Sequence, residues 1–467
     1  MLPDDVFLEI FDFCRRNHDA LLFVWPWHAL VHVCQRWRQI IFSSSRRLDL
    51  RILCTNGTPV RKGLDIWPTF PIVVNYGDHS TRKGITPADE DNVIAALGHS
   101  DRVCSVELNG TGSQLGKMAK AMQQPFPLLT QLIINSRDGY TPVIPANFLG
   151  KSAPSLQKIS LSGVPFPALP ALLLSAGDLV KLCLSNIPPT GYISPDAMIA
   201  CLFALPRLKK LVISFQLATP LPDRLHPPSL KRTILPALTT FVFQGPSQYL
   251  EGLVAPIDSP RLNRIFIHYL NQLVDFEVMQ VSKFIDRSVR AEFTLFKHAH
   301  VVFSRDWVYF TRRRHAELER RDKDRDSTGT RISCQGIDWQ VSHMAQVLSQ
   351  LSTTHSNIIH LRIWYEGMGE VESIDDVEWL NLLLHFTAVQ TLHVSRKVAR
   401  HVALALEDIP GGMFTEVLPS LELIYLEGQP ISSLQKFAAA PRLSGRPLTI
   451  VDTRARFDEI FKSYVGK

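Results

Sequence analysis

At 467 residues, with 45% hydrophobic and 20% charged content, the chain is long enough to bury a large core and has the composition of an ordered protein rather than a disordered one. A formal net charge of +6 is small for that length, so charge alone does not make it a nucleic-acid binder, a class that concentrates Lys and Arg in one patch or stripe. No run approaches about 18 uninterrupted apolar residues, so no membrane span is expected.

The first 44 residues hold two apolar blocks. In the first, Pro3 stands where a helix can begin, because its missing N–H would be unpaired there anyway. Asp4 and Asp5 follow in the first turn, where carboxylates favour the helix dipole. Val6, Ile10 and Phe13 then recur at i, i+4 and i+7, with Phe7 and Phe11 beside them. In the second block Leu30, Val33, Cys34, Trp37 and Ile41 repeat a helical spacing. Two short helices with such wide apolar faces cannot bury them in so small a segment, so a partner is expected.

These blocks, Leu2-Pro3-Asp4-Asp5-Val6-Phe7-Leu8-Glu9-Ile10-Phe11 and Val33-Cys34-Gln35-Arg36-Trp37, resemble an F-box. The resemblance implies docking on the Skp-type adaptor of a cullin–RING ubiquitin ligase. It implies adaptor-facing roles for Leu2, Pro3, Val6, Ile10, Phe11, Val33, Cys34 and Trp37. Asp5 departs from the Glu found in many F-boxes, and the interval from Asp12 to His32, with Trp25-Pro26-Trp27, is longer than usual. The F-box is assigned to residues 1–46. A linker is assigned to 47–66, where Arg46 to Ile52 alternates apolar and polar residues and predicts a short strand.

From about residue 67 a repeat of the form apolar-x-x-apolar-x-apolar appears. It begins at Trp67/Phe70/Ile72 and runs through units opening at Val103, Leu129, Leu156, Leu179, Leu208, Leu238 and Leu262, then Ile358, Val389 and Leu421. The opening residue is often preceded by Pro-x, as at Pro154, Pro206, Pro236, Pro260 and Pro419. From Val103 to Leu262 the units are 23 to 30 residues apart. The last two apolar positions of each unit lie two apart, so they share one face of a short strand. Helical returns are predicted between strands, one of them starting at Ser194-Pro195-Asp196. The pattern is similar to an irregular leucine-rich repeat, whose small units bury their faces only by stacking. The expected fold class is therefore α/β, an N-terminal helical F-box followed by an irregular leucine-rich-repeat-like solenoid over 67–454. A charged insert is expected near 304–330, and a tail helix over 455–467.

In that insert, Arg312-Arg313-Arg314 is followed by acids and bases interleaved from Glu317 to Asp326. Interleaved signs point to a solvated loop or charged helix rather than a phosphate-binding or nuclear-localisation patch. The run from the F-box to Lys62, together with Gly163 to Pro167, Ala171 to Ala176 and Gly191 to Pro195, is similar to a large family of paralogous basidiomycete F-box proteins. That resemblance implies a fungal source and this architecture, and no particular substrate.

No catalytic, cofactor or metal site emerges from the residues. Asn109 to Met118 invites a phosphate-loop reading, but the spacing between Gly and Gly116-Lys117 is wrong and Met118 replaces the Ser or Thr that would hold magnesium. His298 and His300 share a strand face, and His28 and His32 a helix face, without further ligands at metal spacing. The seven cysteines are odd in number, scattered and without a Cys-x-x-Cys, which points to a reducing, cytoplasmic or nuclear setting. The acidic N-terminus lacks the basic region of a signal peptide, so none is expected.

If one strand face of the repeats is open, it carries Gln131, Asn135, Lys158, Ser160, Lys181 and Lys210 early in the chain. Later it carries Arg264, Phe266, His268, His360, Arg362, Trp364, His393 and Tyr425. Binding hot spots favour Arg, Trp and Tyr, so the later group is the candidate surface for a protein substrate. The expected function is a non-catalytic substrate-recognition subunit of an SCF-type ubiquitin ligase. The alternative is an interaction scaffold with no role in ubiquitination. Neither nucleic acid nor membrane is expected as a partner.

Overall fold

Strand and helix alternate through the computed structural model of the chain. It describes residues 2–16, 27–56, 64, 70–77, 86–216, 232–270, 278–288, 296–313, 327–334, 337–351, 355, 357–366, 376–407, 409, 416–427, 434–439 and 447–452. The chain divides into two units, Met1–Tyr192 and Ile193–Lys467, and each is described by itself.

The first unit opens with helices α1 (Asp4–Arg16), α2 (Trp27–Val31) and α3 (Gln35–Ser43). The second apolar block was expected to be one helix, but it is broken. α2 stops at Val31, and Cys34, in extended backbone, caps α3 by accepting a hydrogen bond at Sγ from the Trp37 N–H at 3.4 Å. Apolar spacing records which residues are buried and carries no signal for a break between them. The strand expected over 46–52 is also corrected. The chain turns there instead, with the Leu48 N–H donating to the Ser44 carbonyl and the Leu50 N–H to the Ser45 carbonyl, both at 3.0 Å. Asp49 sits at φ 49°, and Leu48 and Leu50 are buried all the same. A turn that buries alternate leucines mimics a strand in sequence.

Six parallel strands follow among the described residues: β1 (Ile52–Cys54), β2 (Ile72–Tyr76), β3 (Val103–Gly110), β4 (Gln131–Ser136), β5 (Lys158–Ser162) and β6 (Lys181–Ile187). They are hydrogen-bonded in that order. Helices α4 (Pro87–Leu97), α5 (Gly112–Ala121) and α6 (Leu169–Ser175) lie between them in sequence. The glycine-rich segment before α5 is a capping box. Thr111 Oγ1 accepts from the Gln114 N–H, and the Gln114 side chain accepts from the Thr111 N–H. Asp138 accepts from the Gly112 N–H at 3.0 Å, so a carboxylate occupies the place a phosphate would need.

The repeat has a local cause. In the Pro-x-Leu units the opening residue does not lie in the strand but closes a turn just before it. Leu156 donates to Ala153, Leu208 to Leu205, Leu238 to Leu235, Leu262 to Ser259 and Leu421 to Leu418, all between 3.1 and 3.2 Å. The recurrent proline is the second residue of that turn, where its fixed φ is already correct. The next two apolar residues of each unit then point into the core, as Ile159 and Leu161 or Ile265 and Ile267 do.

In the second unit α7 (Pro195–Phe203) starts as expected, Ser194 Oγ accepting from the Ala197 N–H at 3.3 Å. Strands β7 (Lys210–Phe215), β9 (Thr240–Gly245) and β11 (Arg264–Tyr269) run parallel. The short β8 (Thr233–Ile234) and β10 (Ile257–Asp258) pair separately. Helices α8 (Ser247–Val254) and α9 (Met279–Ser288) belong to these repeats. Then come β12 (His298–Phe303), β13 (Trp307–Arg313) and β14 (Ser327–Ser333), followed by α10 (Ile337–Gln350) and β15 (His360–Tyr365). The unit continues with α11 (Asp376–Leu383), β16 (Thr391–Val394), α12 (Arg396–Glu407), β17 (Leu423–Leu426), α13 (Gln435–Ala439) and β18 (Thr449–Asp452).

Strand order here is β7-β9-β11-β14-β13-β12-β15-β16-β17-β18. Among the described residues only β12–β13 and β13–β14 pair antiparallel. The loop-or-helix reading of the run that begins at Arg312 is therefore corrected in its described part: Arg312 and Arg313 end a strand, β13. Trp307, Tyr309, Thr311 and Arg313 alternate with Val308, Phe310 and Arg312, a period of two that the arginine run hides. Arg312 points into the core, where burial lowers its pKa to about 9. Residues 314–326 and the tail helix expected over 455–467 lie outside the described residues, as does Trp67.

Candidate functional site

At the N-terminus, the eight residues that the F-box resemblance singles out separate into three environments. Leu2, Pro3, Val6, Ile10, Val33 and Cys34 are exposed: Leu2 is 50% exposed, Ile10 41% and Val33 59%. Trp37 is half-buried, packed edge-on against Phe7 at 5.7 Å and Phe11 at 5.1 Å. Phe11 is fully buried, so its place is inside the helical pair and not on an outer surface. Arg36 ties the start of α1 to the start of α3. Its Nη2 donates to the Leu2 carbonyl and to Asp4 Oδ1, both at 2.6 Å, and its guanidinium lies over the Phe7 ring. That clamp holds Leu2 and Asp4 to Arg36 in the first turn of α3. Asp4–Arg36 and the Glu9–Arg47 ion pair hold the elements from their polar sides.

In the second unit the sheet has one face of core residues and one of half-exposed ones. Strand register assembles the candidate surface on the second face. Arg264, Phe266 and His268 come from β11, His360, Arg362 and Trp364 from β15, His393 from β16 and Tyr425 from β17. Arg362 lies directly beside His393, and His393 beside Tyr425, whose rings stack at 4.3 Å. His268 is the exception, being buried with Nε2 2.7 Å from Ser333 Oγ.

Strands β12 to β14 bring residues to this face that sequence reasoning did not place there. His300 lies between Thr311 of β13 and Arg362 of β15, and His298 between Arg313 and His360. The His298 and His360 rings stack at 4.6 Å. Arg331 lies over the Trp307 ring at 4.4 Å, and Arg362 over Trp364 at 5.1 Å. Gly329 stands between Phe266 and Thr311 in register, and a Cβ there would come within 2.8 Å of the Tyr309 ring. Its bare backbone lets Phe266 and Tyr309 meet across an intervening strand at 5.8 Å. The alternation Trp307-x-Tyr309-x-Thr311-x-Arg313 was the readable signal for this strand.

The electrostatics separate two kinds of group. Burial, then the charges of Arg313 and Arg362 and the neighbouring His298 and His393, pull His300 down to about 3. Burial, then Arg362 and His360, pull His393 to about 4, and burial with Arg331 does the same to His268. These imidazoles are neutral near pH 7, each offering one donor and one acceptor. The arginines carry the charge. Burial lowers the pKa of both Arg331 and Arg362, opposed by Tyr309 and then Glu366 at Arg331 and by Glu427 at Arg362.

Among the described residues no group of three or more His, Cys, Asp or Glu is arranged to hold a metal ion. Burial pushes the thiols of Cys54 and Cys334 up to about 12 and that of Cys201 to about 11, the reverse of nucleophile activation. No described helix is long and apolar enough to cross a membrane. The chain is thus a two-unit α/β protein built on largely parallel strands, with an exposed apolar helical end and an arginine–histidine strand face. Compared with known protein families and with curated proteins, it matches no family model and no curated sequence.

Proposed function

We propose that the chain is a non-catalytic substrate-recognition subunit of an SCF-type cullin–RING ubiquitin ligase. In this reading α1–α3 form an F-box that docks on a Skp-type adaptor, and the later repeats form a leucine-rich-repeat solenoid that holds a protein substrate. Holding the substrate on the same assembly as the ubiquitin-charged enzyme makes transfer quasi-intramolecular, which raises effective concentration without any chemistry in this chain.

The observation that carries the reading is the exposure of Val6 and Ile10 on α1, of Leu2 just before it and of Val33 in the turn before α3, with ion pairs between Asp4 and Arg36 and between Glu9 and Arg47. Apolar side chains gathered this way lose free energy only when a partner covers them. Co-purification with a Skp-type adaptor tests it. Ile10→Asp and Val33→Asp each place a charge on that surface without touching the core, and capture should fall by roughly tenfold or more. Melting should remain that of the wild type. Undiminished capture by both variants would refute the docking surface. Adaptor capture without cullin recruitment would instead favour a scaffold outside ubiquitination.

A further inference from the structure

The strand face of the first unit carries two lysines that have no part in adaptor docking. Lys158 of β5 and Lys181 of β6 are direct partners in the parallel ladder, and each is followed by a core residue, Ile159 and Leu182. Both are half-buried and stand on one face, with their strands about 4.8 Å apart. Like charges placed directly opposite each other destabilise a sheet. The repulsion is felt at Lys158, whose pKa is lowered by burial first and by Lys181 next, against smaller raising effects of Glu107 and Cys183.

Among the described residues neither lysine forms an ion pair, and Lys158 Nζ reaches only the neutral Gln131 Oε1, at 3.4 Å. The chain from 86 to 216, which holds β3 to β6 and the segments joining them, is described without a break, and none of its acids pairs with either lysine. Glu107 is the carboxylate nearest in register. It belongs to β3, two strands from Lys158, and accepts from Asn109 Nδ2 at 3.3 Å. A cationic pair that its own fold leaves unmatched suits an anionic partner.

The chemistry of the pair selects the anion. Flexible four-carbon stems let both ammonium groups close on one point between the strands. A phosphate monoester brings close to two negative charges and three acceptor oxygens to that point, whereas a carboxylate brings one charge. Ser160, two residues along β5 from Lys158, adds a hydroxyl donor. Beyond the lysines the two strands present Ser160, Ser162 and Ser185, small enough for an extended chain to lie along them. Nucleic acid fits less well, because it is held by a longer track of cations with rings for its bases, and β3 to β6 carry no aromatic residue. We propose that Lys158 and Lys181 together bind the phosphate of a phosphorylated protein segment, with Ser160 donating to the same group. That the phosphate arrives on a protein rests on the substrate-holding half of the function proposed above; the anion site itself does not.

The test uses the full chain and a fluorescein-labelled Gly/Ser peptide carrying one phosphoserine, read by fluorescence anisotropy at low ionic strength. The wild type should bind it about tenfold or more tightly than the same peptide without phosphate. Lys158→Gln and Lys181→Gln should each weaken binding by about tenfold or more, the scale of a hydrogen bond to a charged group. Neither variant should melt below the wild type, because each removes one of two repelling charges. Lys120→Gln, on α5, should leave binding unchanged. Acetylation of the wild type by acetic anhydride, read by mass spectrometry, is independent of how the variants fold: the phosphopeptide should shield Lys158 and Lys181 and leave Lys120 reactive. Equal binding of the two peptides, undiminished binding by both Gln variants, or no shielding of the two lysines would overturn the proposal. So would inorganic phosphate, a single-stranded oligonucleotide or anionic vesicles binding with the same lysine dependence where the phosphopeptide does not. Adaptor capture reads residues of α1 and α3 only, so its failure and this one are separable.

Discussion

Gln340 shows how much one side chain can hold in this chain. Fully buried on α10, it donates from Nε2 to the Ser304 carbonyl at 2.9 Å, to Cys334 at 3.1 Å and to Arg305 at 3.4 Å. Two of those carbonyls lie in the turn between β12 and β13 and the third just after β14, so one amide ties the turn to the end of β14. Gln340→Met keeps the volume and removes the donor, and should lower unfolding free energy by about 1–3 kcal/mol in urea melts. Phe11 makes a contrasting case. It lies within the F-box-like pattern, yet it is enclosed by Phe7 and Trp37. Phe11→Ala should cost about 3–5 kcal/mol through the cavity it leaves. Any loss of adaptor capture by that variant should follow its loss of folded protein, measured in the same sample by circular dichroism.

At the scale of elements, caps and turns decide where the strands begin. Each Pro-x-Leu is a turn whose closing N–H belongs to the leucine, so the apolar repeat and the turn chemistry are one device. α5 depends on its capping box, in which Thr111 and Gln114 satisfy each other's backbone N–H groups. Thr111→Ala should destabilise the chain by about 1 kcal/mol, and Thr111→Ser by much less, in thermal melts of the two variants. Cys34 caps α3 through a thiol, a weak acceptor. That weakness explains why no cap was legible there and why the break after Val31 was missed. The strand β13 was hidden for a related reason. A run of arginines reads as solvent-facing, and only pairing with β12 and β14 makes Arg312 a core residue and Arg313 a surface one.

Across the whole molecule the histidines impose a direction on pH dependence. His268, His300, His355 and His393 are held near 3 to 4 in the folded chain against an ordinary 6.5, burial being the first cause in each case. Depressed folded-state values mean that the unfolded chain takes up protons that the folded one refuses. Stability from these groups is thus complete above about pH 6.5 and falls as pH drops through that value towards 3 to 4. The urea midpoint should decline from pH 7.5 to pH 5, and His300→Gln should flatten that slope. An unchanged slope in His300→Gln would place the acid sensitivity in other groups.

Local rules carry most of the architecture. The spacing of Val103, Val106 and Leu108, the Pro-x-Leu turns and the Ser194 cap all act within a few residues, so chain order alone determines the parallel strands and their helical returns. The apolar residues at the N-terminus were legible for the same reason, since helical periodicity is a local property. What chain order could not determine is which strand lies beside which once the order departs from succession. That departure, β11 to β14 to β13 to β12 to β15, puts Arg313, His300, Arg362 and Arg331 on one face from positions up to 62 residues apart. Pairing between distant strands depends on free energies summed over the whole sheet, which no window of sequence contains. The exposed helical end was therefore readable from its own residues, whereas the arginine–histidine face exists only in the assembled sheet.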